Sequence, residues 1–174
     1  MTDPIIRIPE NTSFLQGNKF AFTFLTLPFL RYFGQACALP GVSTTAVKVE
    51  TPFSATYRHG DKLEFQPLIM TAIVDEDIRV WEETYNWIVA LTAPSKFSQY
   101  FRNDLKSGMK TGYHDGTMIL NTNANIPNLE IAFFDCHPTY LSKIDFDYRT
   151  EDASKSLTCE IHFQYDRFEI RRPM

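Results

Sequence analysis

A chain of 174 residues is long enough for one domain with a substantial core. With 44% hydrophobic and 22% charged residues it is a globular protein and not a disordered one. A net charge of −4 argues against a general grip on nucleic acid, which needs Lys and Arg to neutralise phosphates, and leaves a local basic patch open.

Fifteen Phe and eight Tyr point toward half-buried strands. The three cysteines, Cys37, Cys136 and Cys159, are odd in number and widely spaced, so reduced thiols are expected. The opening MTDPIIRIPENTSF carries an early acid and no apolar h-region, so a signal peptide is not expected. No stretch reaches the roughly 18 apolar residues of a membrane span.

Residues 1–18 form a polar arm in which Pro4 and Pro9 bias their predecessors toward extended backbone. Ile5, Ile6 and Ile8 have no local partner, so the arm either docks on another surface or frays. A single domain over 19–174 follows. Phe20, Phe22 and Phe24 alternate with small residues, the period of a strand. Val47, Val49, Thr51 and Phe53 repeat that period after the turn at Leu39-Pro40-Gly41. Leu63 to Val74 is apolar on both faces toward its end, as in a strand covered on two sides.

Asp75, Glu76 and Asp77 are N-cap candidates for a helix. Ile78, Trp81, Tyr85 and Ile88 predict its apolar stripe, widened by Val80, Trp87 and Leu91, and Pro94 ends it. Phe97, Phe101 and Leu105 suggest a second short helix between Ser95 and Gly108. Gly112 and Gly116 mark turns before a strand over Thr117 to Leu120.

The last third is the most regular. Leu129, Ile131 and Phe133 alternate, as do Ile144, Phe146 and Tyr148. Leu157, Cys159, Ile161, Phe163 and Tyr165 alternate strictly over nine residues, a strand with one buried face. Phe168 and Ile170 then fall on the other parity, which predicts a bulge or a change of face at Asp166-Arg167. These elements predict a mainly β fold, an antiparallel sandwich or barrel with one packed α-helix.

No catalytic or cofactor constellation emerges. Cys136-His137 and Cys159…His162 are the ligand types of a zinc site, but residues one or three apart on a strand point to opposite faces. Asp75-Glu76-Asp77 is explained by capping. The acid pair Asp145 and Asp147 shares one face, which the alternation makes the solvent face. The glycines lack the Lys and the strand-to-helix context of a phosphate loop.

The ordered motifs Ala38-Leu39-Pro40-Gly41-Val42, Thr51-Pro52-Phe53, Gly60-Asp61-Lys62-Leu63-Glu64-Phe65-Gln66-Pro67-Leu68, Val74-Asp75-Glu76-Asp77, Trp81 and Tyr85-Asn86-Trp87 carry a resemblance. So does the strand Leu157 to Phe163. Together they resemble the tail-tube-type proteins of contractile-tailed phages, and are most similar to the small tube-terminator (tail completion and sheath stabiliser) group. The resemblance implies a hexameric ring in the virion tail, assembled in the host cytoplasm. It also implies neighbours among tube, sheath, neck or baseplate proteins, and DNA passing through the channel without specific binding. Ile5, Ile6, Ile8, Pro40, Gly41, Pro52 and Phe53 are the assembly-interface candidates. Main tube subunit and baseplate tube initiator are alternatives within this class. A ligand-binding β-barrel is the alternative outside it.

Overall fold

A computed structural model describes residues 12–24, 27–92, 95, 112–148 and 156–172. Nine strands and two helices follow one another within them. The order is β1 (Phe20–Phe24), α1 (Pro28–Phe33), β2 (Gly34–Ala38), β3 (Val42–Glu50), β4 (Ala55–Phe65), β5 (Leu68–Ile73), α2 (Arg79–Thr92), β6 (His114–Asn121), β7 (Pro127–Leu141), β8 (Thr158–Gln164) and β9 (Arg167–Arg171). All the strand pairings are antiparallel.

Seven strands form one sheet path. Its order is β1-β6-β7-β8-β5-β2, with β9 added on β7. The fifteen-residue β7 is the hinge of this arrangement. Residues 130–134 pair with β9 and 127–136 with β6, whereas 137–141 pair with β8. Between these halves Asp135 has φ +54° and the β6–β7 register slips opposite Asp115. The extra residue bends the strand, so β7 serves both halves of the sandwich.

The core lies between those halves. Phe22, Phe24, Met118, Ile131 and Phe133 come from one, and Leu68, Met70, Cys159, Ile161 and Phe163 from the other. Phe24 and Phe163 meet across it with ring centroids 4.8 Å apart. In β1 and β8 the period of two translates directly into burial, whereas in β7 Ala132 is buried along with Ile131 and Phe133. Aromatic side chains fill the interior, with Phe133 also within 5.2 Å of Tyr165.

The change of parity near the C-terminus is a change of strand. Asp166 N–H bonds to the Phe134 carbonyl (3.0 Å) as the chain leaves β8 and joins β7 as β9. Tyr165 is buried and Phe168 packs 5.5 Å from Phe65 and 5.7 Å from Phe133, while Ile170 faces out.

Several local expectations are corrected. Leu68, Met70 and Ala72 are buried but Ile69 is exposed, so β5 has one covered face and not two. Leu63 belongs to a different strand, β4. Residues 142–147 form no strand, and Phe146 and Tyr148 face solvent. The pairing with β8 ends just past Leu141, where Ser142 N–H bonds to the Glu160 carbonyl (2.8 Å), and the chain then leaves the ladder. The helix expected between Ser95 and Gly108 lies outside the described residues apart from Ser95, as do Pro94 and the arm isoleucines.

The helix at 79–92 is confirmed, but its buried stripe is Val80, Thr84, Trp87 and Ala90. Ile78 and Tyr85 of the expected stripe are exposed. Both stripes have helical spacing, and the chain's own sheet covers the one that contains Trp87. Thr84 tolerates burial because its hydroxyl donates to the Val80 carbonyl (3.0 Å). Asp75, Glu76 and Asp77 precede the helix: the Ile78 carbonyl accepts its first bond, from Glu82 N–H, at 2.9 Å. The additional helix, α1, starts at Pro28, whose fixed φ suits the first turn, and ends at Gly34. A Cβ on Gly34 would lie 2.8 Å from the Leu30 carbonyl oxygen.

Candidate assembly surface

The largest departure from the expected fold lies between residues 42 and 65. Val47 and Val49 do alternate in a strand, but every residue of β3 is exposed. Among the described residues, β3 and β4 pair only with each other and form a separate two-stranded sheet. The hairpin is held at its base. Gln66 N–H bonds to the Gly41 carbonyl (3.0 Å), Tyr165 Oη donates to the Gln66 carbonyl (2.9 Å), and the Phe65 ring lies 5.7 Å from Tyr165.

At the tip, Thr51 N–H bonds to the Ser54 carbonyl (2.9 Å) and Ser54 N–H returns to Thr51 Oγ1 (3.2 Å). That closed turn presents Pro52 and Phe53, and Phe53 is 99% exposed. Midway, the register slips between Thr44 and Ala46, whose partners are Leu63 and His59. Gly60 sits in this irregularity, where a Cβ would fall 2.3 Å from the Thr45 carbonyl oxygen. Only glycine permits that approach.

Val42, Val47, Val49, Tyr57 and Leu63 are all exposed along the hairpin. An isolated two-stranded ribbon is marginal in water, and its outer edges carry unpaired backbone groups. Such a ribbon gains stability when another surface covers it. Of the interface candidates, Pro52 and Phe53 form this tip, Gly41 is exposed at the base and Pro40 is buried beside it. The alternation of Val47 and Val49 concealed the projection, because the pattern reads the same whichever molecule supplies the cover. The signal that could have shown it is Thr51-Pro52-Phe53-Ser54, turn residues between two alternating runs with many polar members.

A second feature, partly exposed, lies on α2. Trp81 and Tyr85 stack at 5.3 Å with their planes 10° apart, and Trp81 Nε1 donates to the Ser142 carbonyl (3.1 Å). Elsewhere on α2, Glu83 is half-buried and its Oε2 meets no hydrogen-bond partner. Burial pushes its carboxyl up to about 7, opposed by a bond from Phe29 N–H and aided by the nearby Asp75 charge.

The residues weighed for catalysis and metal binding are dispersed by the fold. Cys159 is buried, whereas His162, three residues along, contacts Glu160 Oε1 (2.5 Å) and the Tyr140 ring. Cys136 is buried, and His137 turns to the Tyr113 ring at 5.0 Å. Among the described residues, no three His, Cys, Asp or Glu side chains gather as a metal site. Burial pushes the Cys37 and Cys136 thiols up to about 12, which keeps them protonated and poorly nucleophilic. Lys143 pairs with Asp145 at 3.0 Å on the surface.

A filled β-sandwich with an exposed two-stranded ribbon that pairs with nothing else among the described residues defines a class: a module that associates with other protein surfaces. The chain belongs to the phage tail tube protein family, whose model matches residues 7–171. The tail tube terminator protein of Enterobacteria phage T4 is 28% identical over 142 residues, 79% of this chain and 76% of that one. Among solved structures, the tube-terminating cap of the anti-feeding prophage matches 98% of this chain and 100% of its own, with a TM-score of 0.64 at 12% identity. The sheath/tube terminator of an extracellular contractile injection system matches 95% of this chain and 99% of its own, with a TM-score of 0.52 at 12% identity. At these identities the two structural likenesses are likenesses of fold.

Proposed function

We propose that this protein is a tail tube terminator: copies of it close a ring on the end of a phage tail tube. The observation that carries this reading is the β3–β4 hairpin, a ribbon whose side chains, Val47, Val49, Tyr57 and Leu63 among them, the other described residues leave exposed. The likeness to a tail tube terminator over three-quarters of both chains supports the position at the tube end. The ring has six copies, formed by a head-to-tail contact that closes when the rotation per subunit divides a full turn. Its neighbours are the tube, the sheath and the neck proteins. DNA passes through its channel without specific contacts, for which an overall charge of −4 is suited. Its work is structural and not catalytic, and it is assembled in the host cytoplasm.

Removing the protein from the phage tests this. Tails of defective length, or tails that fail to join heads, are expected, with joining restored by added protein. Loss of the whole tube would make it the main tube subunit, and failure to start tubes on the baseplate would make it the initiator. Normal infectious tails would overturn the assembly reading.

A further inference from the structure

The two ends of the main sheet path leave a second opening. Among the described residues, β1 pairs only with β6 and β2 only with β5, so each has one backbone edge without a partner there. Those edges border a cleft of about 330 Å³, where buried Phe22, Leu30 and Met70 lie behind the more polar Asn18, Arg31 and Gln35. Exposed sheet edges are ordinarily guarded by Lys, Pro or a cover. β2 reads Gly-Gln-Ala-Cys-Ala and has neither guard residue.

We propose that this cleft is a strand-acceptor site, and that its occupant is the N-terminal segment Ile5-Ile6-Arg7-Ile8 of a neighbouring copy. The inference rests on the ring reading above and assigns it a subunit contact. In an extended segment Ile6 and Ile8 share a face, leaving Ile5 and Arg7 on the other. Pro4 and Pro9 lack N–H groups and limit the added ladder to the four residues between them. Backbone pairing with side chains seated on alternate positions is a general mode of strand addition.

The course of the arm favours exchange over self-insertion. Ser13, Phe14 and Leu15 lie against the β6–β7 turn, lining another cleft with Asn121 to Ala124. β6 flanks the paired edge of β1, while the acceptor cleft flanks its open edge. The chain therefore departs on the far side of β1 from its own cleft. Passed from copy to copy, such an arm makes a head-to-tail contact suited to a closed ring.

The test uses the full chain with Ile6→p-benzoylphenylalanine, mixed with heavy-isotope-labelled unmodified chain and assembled on tail tubes. Photocross-links to Phe22, Ala36 or Met70 of the labelled copy are expected. Cross-links confined to the same copy, or directed to the hairpin or to another protein, would overturn the proposal. Separately, Ile6→Asp with Ile8→Asp, and Ala36→Trp at an exposed position lining the cleft, should each lower ring yield on tubes by roughly tenfold or more. Melting of the isolated chain should be unchanged in both. Undiminished yield with both variants would refute the arm exchange and leave the ring reading standing. Labelled-copy cross-links without any ring on tubes would support the exchange and defeat the terminator reading.

Discussion

Asp115 Oδ1 accepts a hydrogen bond from the backbone N–H of Asp135 at 3.1 Å, at the residue where β7 passes from one half of the sandwich to the other. Asp135 has φ +54°, a conformation that Asn and Gly also adopt and β-branched residues resist. Asp135→Gly should therefore fold normally, whereas Asp135→Val should lose about 1–3 kcal/mol through backbone strain. Asp115→Ala should cost about 0.5–1.5 kcal/mol, the net value of an ordinary hydrogen bond. Urea unfolding at equal m-value measures all three.

The hairpin and the body are expected to respond separately to mutation. Gly60→Val drives a side chain into the Thr45 carbonyl and should disrupt the register of β3 and β4. Because β3 and β4 pair only with each other, the melting temperature of the body should stay within a few degrees of the parent. Binding to tail tubes should fall severely. Far-ultraviolet circular dichroism with tube co-sedimentation distinguishes the two effects, and joint loss of body stability and binding would contradict the separation.

Phe53→Asp tests the tip without touching the fold. The side chain is 99% exposed, so stability should change by less than about 0.5 kcal/mol. If the tip sits in an apolar site on a neighbour, replacing the ring with a carboxylate should weaken tube binding by at least about tenfold. Equal binding by the variant would remove the tip from the interface.

Glu83 makes stability depend on pH. Its folded pKa is about 7, above the ordinary value of 4.5, so the folded state holds a proton that the unfolded state releases first. Stability from this group is present below about pH 4.5 and declines as pH rises toward 7. Glu83→Gln should match the parent near pH 4 and exceed it at pH 8. Discounted for solvent at a partly exposed site, the gain is about 1 kcal/mol. Thermal melts at the two pH values check it, and a variant less stable than the parent at pH 8 would refute the desolvation argument.

Trp87 is the anchor of α2. Its Nε1 donates to the Gly112 carbonyl at 2.8 Å, and its ring lies 5.9 Å from both Phe24 and Phe163. Trp87→Phe keeps much of the packing but leaves a buried carbonyl without this donor, at a cost of about 2–3 kcal/mol. Denaturant unfolding reads the loss. A change below 0.5 kcal/mol, within the usual range of surface substitutions, would show that the bond is dispensable.

The sequence by itself determined the parts of this protein whose partners lie within the chain. Ile131 and Phe133, and Cys159, Ile161 and Phe163, alternate because one face of their strands packs on the common core, and each is buried as its parity requires. The same parity separates Cys159 from His162, and the break after Tyr165 marks where β8 ends and β9 begins. The ordered motifs from Pro40 to Trp87 were sufficient to indicate the family. Tertiary structure alone decided which apolar face is covered. α2 has two stripes at helical spacing, and only contact with the sheet selects Val80 and Trp87 over Ile78 and Tyr85. Ile144, Phe146 and Tyr148 alternate like a strand yet remain outside the sheet, because the pairing with β8 stops after Ser142. Val47 and Val49 alternate like core residues and stand in solvent on a ribbon. Periodicity reports that a face is apolar, but not whether its cover comes from the same chain, since burial is set by distant segments and by other molecules.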